Sequence, residues 1–250
     1  MPIFLGELNS VYADPGKQTM SIVNGLFAGM AIAEAMKQGV PLATWWLGFG
    51  GCGVGNQSPS LYGWQNFGGG AFIEGKRPKL RQVKNIVVFA NVFGYSREEY
   101  ERAIEILNEG EDIAAYELNV SCPNTVSGGI QFGSDPRALD EVVNTAKRIS
   151  RRPLIVKLSP NVTSIALMAR VAQEAGADAI SLVTTFVAMA IDPETRKPRI
   201  ANVTAGLSGP AIKPIALRLV FAASRVVNIP VIGVGGISTA AAFVEFTRAW

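Results

Sequence analysis

"PLIVKLSPNVTSIALMARVAQEAG" (153–176) carries two textures in one line. Its first part is a run of aliphatic residues interrupted by Lys157, and its second spaces apolar residues helically and closes on a glycine. A short apolar run after a proline reads as a strand buried on both faces. The segment behind it reads as a helix packed back against the sheet. The pairing recurs from about residue 80, with strands expected at 85–91, 113–120, 153–159, 177–184 and 229–236 and helices at 96–110, 135–150, 162–176 and 209–227. Such alternation argues for an α/β architecture. Polar residues and glycines gather at the C-terminal ends of successive strands: Asn91, Asn119 to Asn124, Lys157, Ser159, Thr184, Thr185 and Gly233 to Gly236. In a (β/α)8 barrel that end is the active face, and no early G-x-G-x-x-G opens the array as in a dinucleotide-binding domain. The expectation is a (β/α)8 TIM barrel, one domain over residues 1–250, atypical at both ends.

The first 75 residues have a different texture. Residues 17–39 read as a helix, 40–49 as a strand, and "GGCGVGNQSPSLYGWQNFGGG" (50–70) as a glycine-rich loop. Composition narrows the chemistry. A hydrophobic content of 48% over 250 residues suits a well-buried core, and a net charge of +3 with dispersed charges gives no case for nucleic acid. The basic cluster Lys147, Arg148, Arg151 and Arg152 falls at the end of an expected helix, where cations complement the helix dipole. Cys52 and Cys122 make neither a disulfide framework nor a zinc motif, which favours a reducing, cytoplasmic setting. The apolar stretch from Ile22 to Ala35 is broken by Asn24, Gly25, Gly29 and Glu34, so neither a secretory signal nor a membrane span is expected. The chain has no histidine, which excludes an imidazole base, a Ser-His-Asp triad and a His-ligated metal within it.

Three places carry chemistry. "YELNVSCPN" (116–124) presents two carboxamides, a hydroxyl and a thiol at a strand end, and Pro123 bars a helix from running through Cys122. Carboxamides donate and accept, so Asn119 and Asn124 suit a pyrimidine or flavin edge with alternating N–H and C=O groups. Lys157 ends an otherwise apolar strand, where an inward ammonium needs a partner or an anion. "GLSGPAIKP" (206–214) and "VIGVGGIST" (231–239) set glycines where chain meets helix N-terminus, a phosphate-binding arrangement.

Together with "IVKLSPNVT" (155–163), "AMAIDPETRKPRIAN" (188–202) and "IPVIGVGGIST" (229–239), these segments resemble the catalytic subunit of class 1 dihydroorotate dehydrogenase, most closely type B, over roughly residues 66–243. The resemblance implies a (β/α)8 barrel holding FMN at its C-terminal face and oxidising dihydroorotate to orotate in pyrimidine (UMP) biosynthesis. It makes Cys122 the general base. Asn91, Asn119, Lys157, Val183, Gly209, Gly235 and Gly236 become flavin contacts. Ser60, Leu61, Tyr62, Gly63, Trp64, Asn119, Asn124, Thr184 and Thr185 become substrate contacts. It also implies a homodimer or heterotetramer with a partner subunit carrying FAD and an iron–sulfur cluster, and no nucleic-acid or membrane partner. Departures from the pattern are Ser60 and Thr184 in place of asparagines and no match in residues 1–60. The eighth strand is also missing after residue 239. Those departures raise the alternative of an incomplete, inactive flavin barrel or a chimera whose residues 1–62 have another origin. "IFLGELNSVYADPGKQ" resembles a late strand of a retaining glycosidase, with Glu7 in the nucleophile position and no identifiable acid partner.

Overall fold

The computed structural model describes residues 4–7, 42–48, 87–111, 113–121, 129–200 and 203–249. The helix expected at 17–39 and the glycine-rich loop at 50–70 lie outside these residues. The chain divides into two compact units, Met1–Asn119 with Val142–Ile155, and Val120–Glu141 with Val156–Trp250.

In the first unit, strands β1 (Phe4–Glu7), β2 (Leu42–Gly48), β3 (Val88–Phe93) and β4 (Ile113–Asn119) lie side by side in that order, all parallel. The Tyr116 N–H donates to the Pro153 carbonyl at 2.9 Å, bringing the start of β5 (Leu154–Lys157) alongside β4. Five of six residues in β3 and six of seven in β4 are buried, the signature of strands covered on both faces. Helix α1 (Arg97–Asn108) covers them with Tyr100, Ala103, Ile104 and Leu107, one face at i, i+3, i+4 and i+7. Its start is fixed locally. Ser96 Oγ accepts from the Glu99 N–H at 3.3 Å, and Glu99 Oε2 accepts from the Tyr95 N–H at 2.6 Å, close to a capping box.

The end of α1 is fixed from afar. It has no basic residue in its last turn, so its terminal carbonyls lack a local cation. The Arg152 guanidinium supplies one, donating to the carbonyls of Leu107 and Asn108 at 3.4 Å each and to that of Gly110. It also donates to Tyr116 Oη at 2.5 Å, with its carbon 5.7 Å from the centre of that ring. This corrects the sequence reading, which gave all four basic residues to their own helix. Lys147 and Arg148 do occupy the last turn of α3 (Pro136–Ile149), but Arg152 serves α1 because the chain turns into β5 beneath it.

In the second unit the end of β5, then β6 (Ala179–Leu182) and β9 (Val231–Gly233), are neighbours, with β6 and β9 parallel in register Ile180↔Val231 to Leu182↔Gly233. The ladder runs one step further, the Val183 N–H donating to the Val234 carbonyl and the Val234 N–H to that of Leu182. Helix α2 (Gly129–Ser134) precedes α3. Helix α4 (Ile165–Glu174), capped by Ser164, buries Ile165, Met168, Ala169 and Ala172 at the same helical spacing. Helix α5 (Lys213–Ser224) follows a 3-10 turn at Pro210–Ile212, and α6 (Ala240–Thr247) is capped by Thr239.

Among the described residues from 87 onward the expected elements are present, but several are shorter. The helix expected at 209–227 breaks into two pieces because Pro210 and Pro214 lack the N–H a continuous helix needs and sit instead in first turns. The strand expected at 229–236 stops at Gly233, since Gly235 and Gly236 have φ of +120° and +73°. An antiparallel pair, β7 (Phe186–Ala188) with β8 (Ala205–Leu207), was not foreseen. Among the described residues no helix is long and apolar enough to cross a membrane.

Replacing Arg152 by Ala leaves three carbonyls and a buried phenol without their cation, and should cost about 2 kcal/mol in urea unfolding. Arg152→Lys should recover only part, because an ammonium cannot fork across that many acceptors. Burial pushes the Tyr116 phenol above its usual 10.0, opposed by its bond from Arg152. The unfolded chain then ionises first, so stability falls as pH rises from the ordinary tyrosine value through the raised one. Unfolding midpoints of Tyr116→Phe should show a smaller alkaline loss than the parent.

Candidate active site

The C-terminal halves of β3 and β4 bring three polar side chains together in the first unit. Asn91 stands opposite Glu117 in the parallel register, and Glu117 and Asn119, two apart, share one face of β4. Asn91, Glu117 and Asn119 are 2%, 5% and 3% exposed. Burial of that degree needs internal partners. Asn91 Nδ2 donates to Glu117 Oε2 at 2.5 Å, and Asn119 Nδ2 donates to Asn91 Oδ1 at 3.4 Å. Tyr100, from α1, donates its hydroxyl to the Asn119 carbonyl at 2.8 Å, which fixes the strand where it gives way to the loop. Val120 and Ser121 continue the chain, both fully buried. Cys122 and Asn124 follow and lie outside the described residues, as do Ser60, Leu61, Tyr62, Gly63 and Trp64.

In the second unit, Lys157 is the last residue of β5 and is 2% exposed, as the apolar run before it led one to expect. Ser159 and Ser181 are buried near it in sequence order on the next turn and strand. Val183 is buried and Thr184 and Thr185 half-buried, and Thr185 Oγ1 is enclosed without a hydrogen-bond partner among the described residues. Gly206, on β8, makes room for that hydroxyl: a Cβ there would fall 2.1 Å from it. Asn161 ties this corner down. Its Nδ2 donates to the Thr185 carbonyl at 3.1 Å and its Oδ1 accepts from the Val187 N–H at 3.0 Å.

The late glycines converge. A Cβ on Gly236 would lie 2.7 Å from the Lys213 nitrogen and 2.9 Å from the Gly209 carbonyl oxygen, so this loop rests directly on the N-terminus of α5. A Cβ on Gly235 would lie 3.2 Å from Val183 Cγ2. Val183, Gly209, Gly235 and Gly236 are thus brought to one place. Beside it, Lys213 Nζ pairs with Glu245 Oε2 at 2.8 Å.

Sequence reading missed Glu117 and Asn161. Glu117 carried the same signal as Lys157, a charged residue inside an apolar strand, whereas Asn161 looked like an ordinary loop residue. Glu7 does close β1, as its sequence position suggested.

Gly236→Ala meets both a left-handed φ and a backbone clash, and should lower stability by about 2–3 kcal/mol. Gly209→Ala has a φ of +94° with an extended ψ but nothing within 4 Å of its new carbon, so urea unfolding should show a loss of about 1–3 kcal/mol, from backbone strain alone.

Comparison with known proteins gives a consistent picture. The family model described as dihydroorotate dehydrogenase matches residues 57–249. A relative from Solibacter usitatus, described as "Putative dihydroorotate dehydrogenase A (fumarate)", is 58% identical over 184 residues, 74% of this chain and 60% of its own. Dihydroorotate dehydrogenase B (NAD(+)) catalytic subunits from Pelobacter propionicus and Geobacter sulfurreducens are 50% and 51% identical over 187 residues, each covering 75% of this chain and 61% of theirs. The chain therefore spans about 60% of the length of the curated relatives it matches. Glu7 precedes the matched residues, and nothing among these relatives supports the glycosidase reading. A solved structure described as a "putative deoxyribose-phosphate aldolase" from Coccidioides immitis superposes with a TM-score of 0.53 at 15% identity, covering 99% of this chain and 78% of that one. The fold class is α/β of the TIM-barrel type. The chain belongs to the dihydroorotate dehydrogenase family.

Proposed function

We propose that the chain supplies the catalytic site for FMN-dependent oxidation of dihydroorotate to orotate, in the cytoplasm, within pyrimidine biosynthesis. The observation that carries this reading is the buried Asn91–Glu117–Asn119 set in the C-terminal halves of β3 and β4, with only Val120 and Ser121 between Asn119 and Cys122 in sequence. The residues fit a flavin. Carboxamides from Asn91 and Asn119 match a ring edge of alternating donors and acceptors. The glycine cradle on the α5 N-terminus, which a Cβ at Gly236 would fill, matches a phosphate.

Asn91, Asn119, Lys157, Val183, Gly209, Gly235 and Gly236 are assigned to the cofactor. Bound FMN supplies the two-electron acceptor for the hydride that leaves C6 of dihydroorotate. Cys122, as thiolate, takes the proton from C5, next to the carbonyl that acidifies it. The Lys157 ammonium offsets negative charge as the C–H bonds break, an effect enlarged by its burial. Asn119 and Asn124 hold the pyrimidine, with Thr184, Thr185 and the Ser60, Leu61, Tyr62, Gly63 and Trp64 loop completing the substrate side. The relatives named as catalytic subunits support a further part of the reading. The assembly would be a homodimer or a heterotetramer, with a partner subunit whose FAD and iron–sulfur cluster would accept the electrons.

Titration of the purified chain with FMN should quench flavin fluorescence at one equivalent, and dihydroorotate should then bleach the flavin band. Cys122→Ser should bind FMN equally well but be reduced roughly 100-fold or more slowly at neutral pH. Its rate should climb with pH, because a hydroxyl is the weaker acid. A chain that takes up no FMN, or a variant reduced as fast as the parent, overturns the reading.

A further inference from the structure

The Asn91–Glu117–Asn119 set contains one member with no role in the reaction as proposed. Glu117 is an acid buried between apolar neighbours Tyr116 and Leu118, where a strand of this kind would otherwise carry an aliphatic side chain. Its position makes it a director of the two carboxamides. An asparagine side chain can present either its oxygen or its nitrogen to a neighbour, and the two orientations are nearly equal in shape. Here they are unequal in energy. Glu117 Oε2 accepts, so Asn91 must turn its Nδ2 toward it at 2.5 Å; the reversed amide would set two acceptors against each other. That choice leaves Asn91 Oδ1 as an acceptor, and Asn119 answers with its own Nδ2 at 3.4 Å. The orientation therefore passes from a group with one polarity to two groups that have either. The backbone under the last of them is held by the Tyr100 hydroxyl, so the amides and not the strand are the adjustable parts.

We infer that Glu117 is a positioning residue that sets the donor and acceptor polarity of Asn91 and Asn119, and through them which edge of the flavin the site accepts. The inference rests on the FMN reading above. It is local to one pair of adjacent strands in register, where Asn91 and Glu117 face each other directly. A bound ring with alternating C=O and N–H groups meets either a matched or a mismatched pair of amides, and the carboxyl removes the mismatched state before binding. Loss of the carboxyl restores both states, and FMN must then select one.

The test is FMN affinity by fluorescence titration, with thermal melting as the check on folding. The parent is titrated first; absence of FMN binding there overturns the functional reading and this inference together. With parent binding in hand, Glu117→Met, near in volume but unable to accept, should weaken FMN at least 10-fold. Glu117→Gln, whose amide can turn either its oxygen or its nitrogen to Asn91, no longer imposes one polarity and should weaken FMN at least 3-fold. Adding Glu117→Met to Asn91→Ala should change FMN affinity less than 2-fold relative to Asn91→Ala alone, because Glu117 acts through that amide. Should Glu117→Met alone not fold, the Asn91→Ala comparison, which removes both partners of the bond, carries the test. Parent-like affinity in Glu117→Met overturns the inference with the FMN reading intact. So does a Gln variant within 3-fold of the parent, or a full further loss on the Asn91→Ala background.

Discussion

A parallel strand covered on both faces has no water to offer a polar side chain, and the arrangement of this protein follows from that constraint. Polar groups are admitted where strands end, and there they must satisfy one another or a ligand. In the first unit the solution includes two amides and a carboxyl linked from β3 to β4 and anchored by Tyr100. In the second it is a corner in which Asn161 bonds the backbone on either side of Phe186, with the Thr185 hydroxyl enclosed beside it. The same strands that make the core apolar thereby make its rim chemically specific.

Much of this was legible in the chain as periodicity. Runs such as 153–157 and helices such as 165–174 announce themselves because burial on two faces and burial on one leave different spacings of apolar residues. The parts that were not legible have particular reasons. The β7–β8 pair consists of three-residue strands whose partners lie far apart in sequence, too short to show any alternation. Arg152 gave its charge but not its destination, since the carbonyls it serves belong to a helix that ends more than forty residues earlier. Glu117 was readable by the argument applied to Lys157, as a charged residue inside an otherwise buried strand. The thiol of Cys122 and the loop from Ser60 to Trp64 remain sequence assignments.

Family membership and local structure bear on different parts of the reading. The match over residues 57–249 speaks for the reaction class, whereas the buried amides and the glycine cradle speak for the kind of molecule held. Relatives whose names carry fumarate and NAD(+) both align over the same part of the chain.

The reach of Arg152 has a consequence for a chain still being made. Helix α1 and strand β4 leave the ribosome before the side chain that neutralises the end of one and pairs with the phenol of the other. Until residue 152 has emerged, the nascent segment from 97 to 119 has its hydrophobic face but an unanswered helix terminus. Its final ordering is therefore timed by translation through α2 and α3 to Arg152 rather than by its own completion.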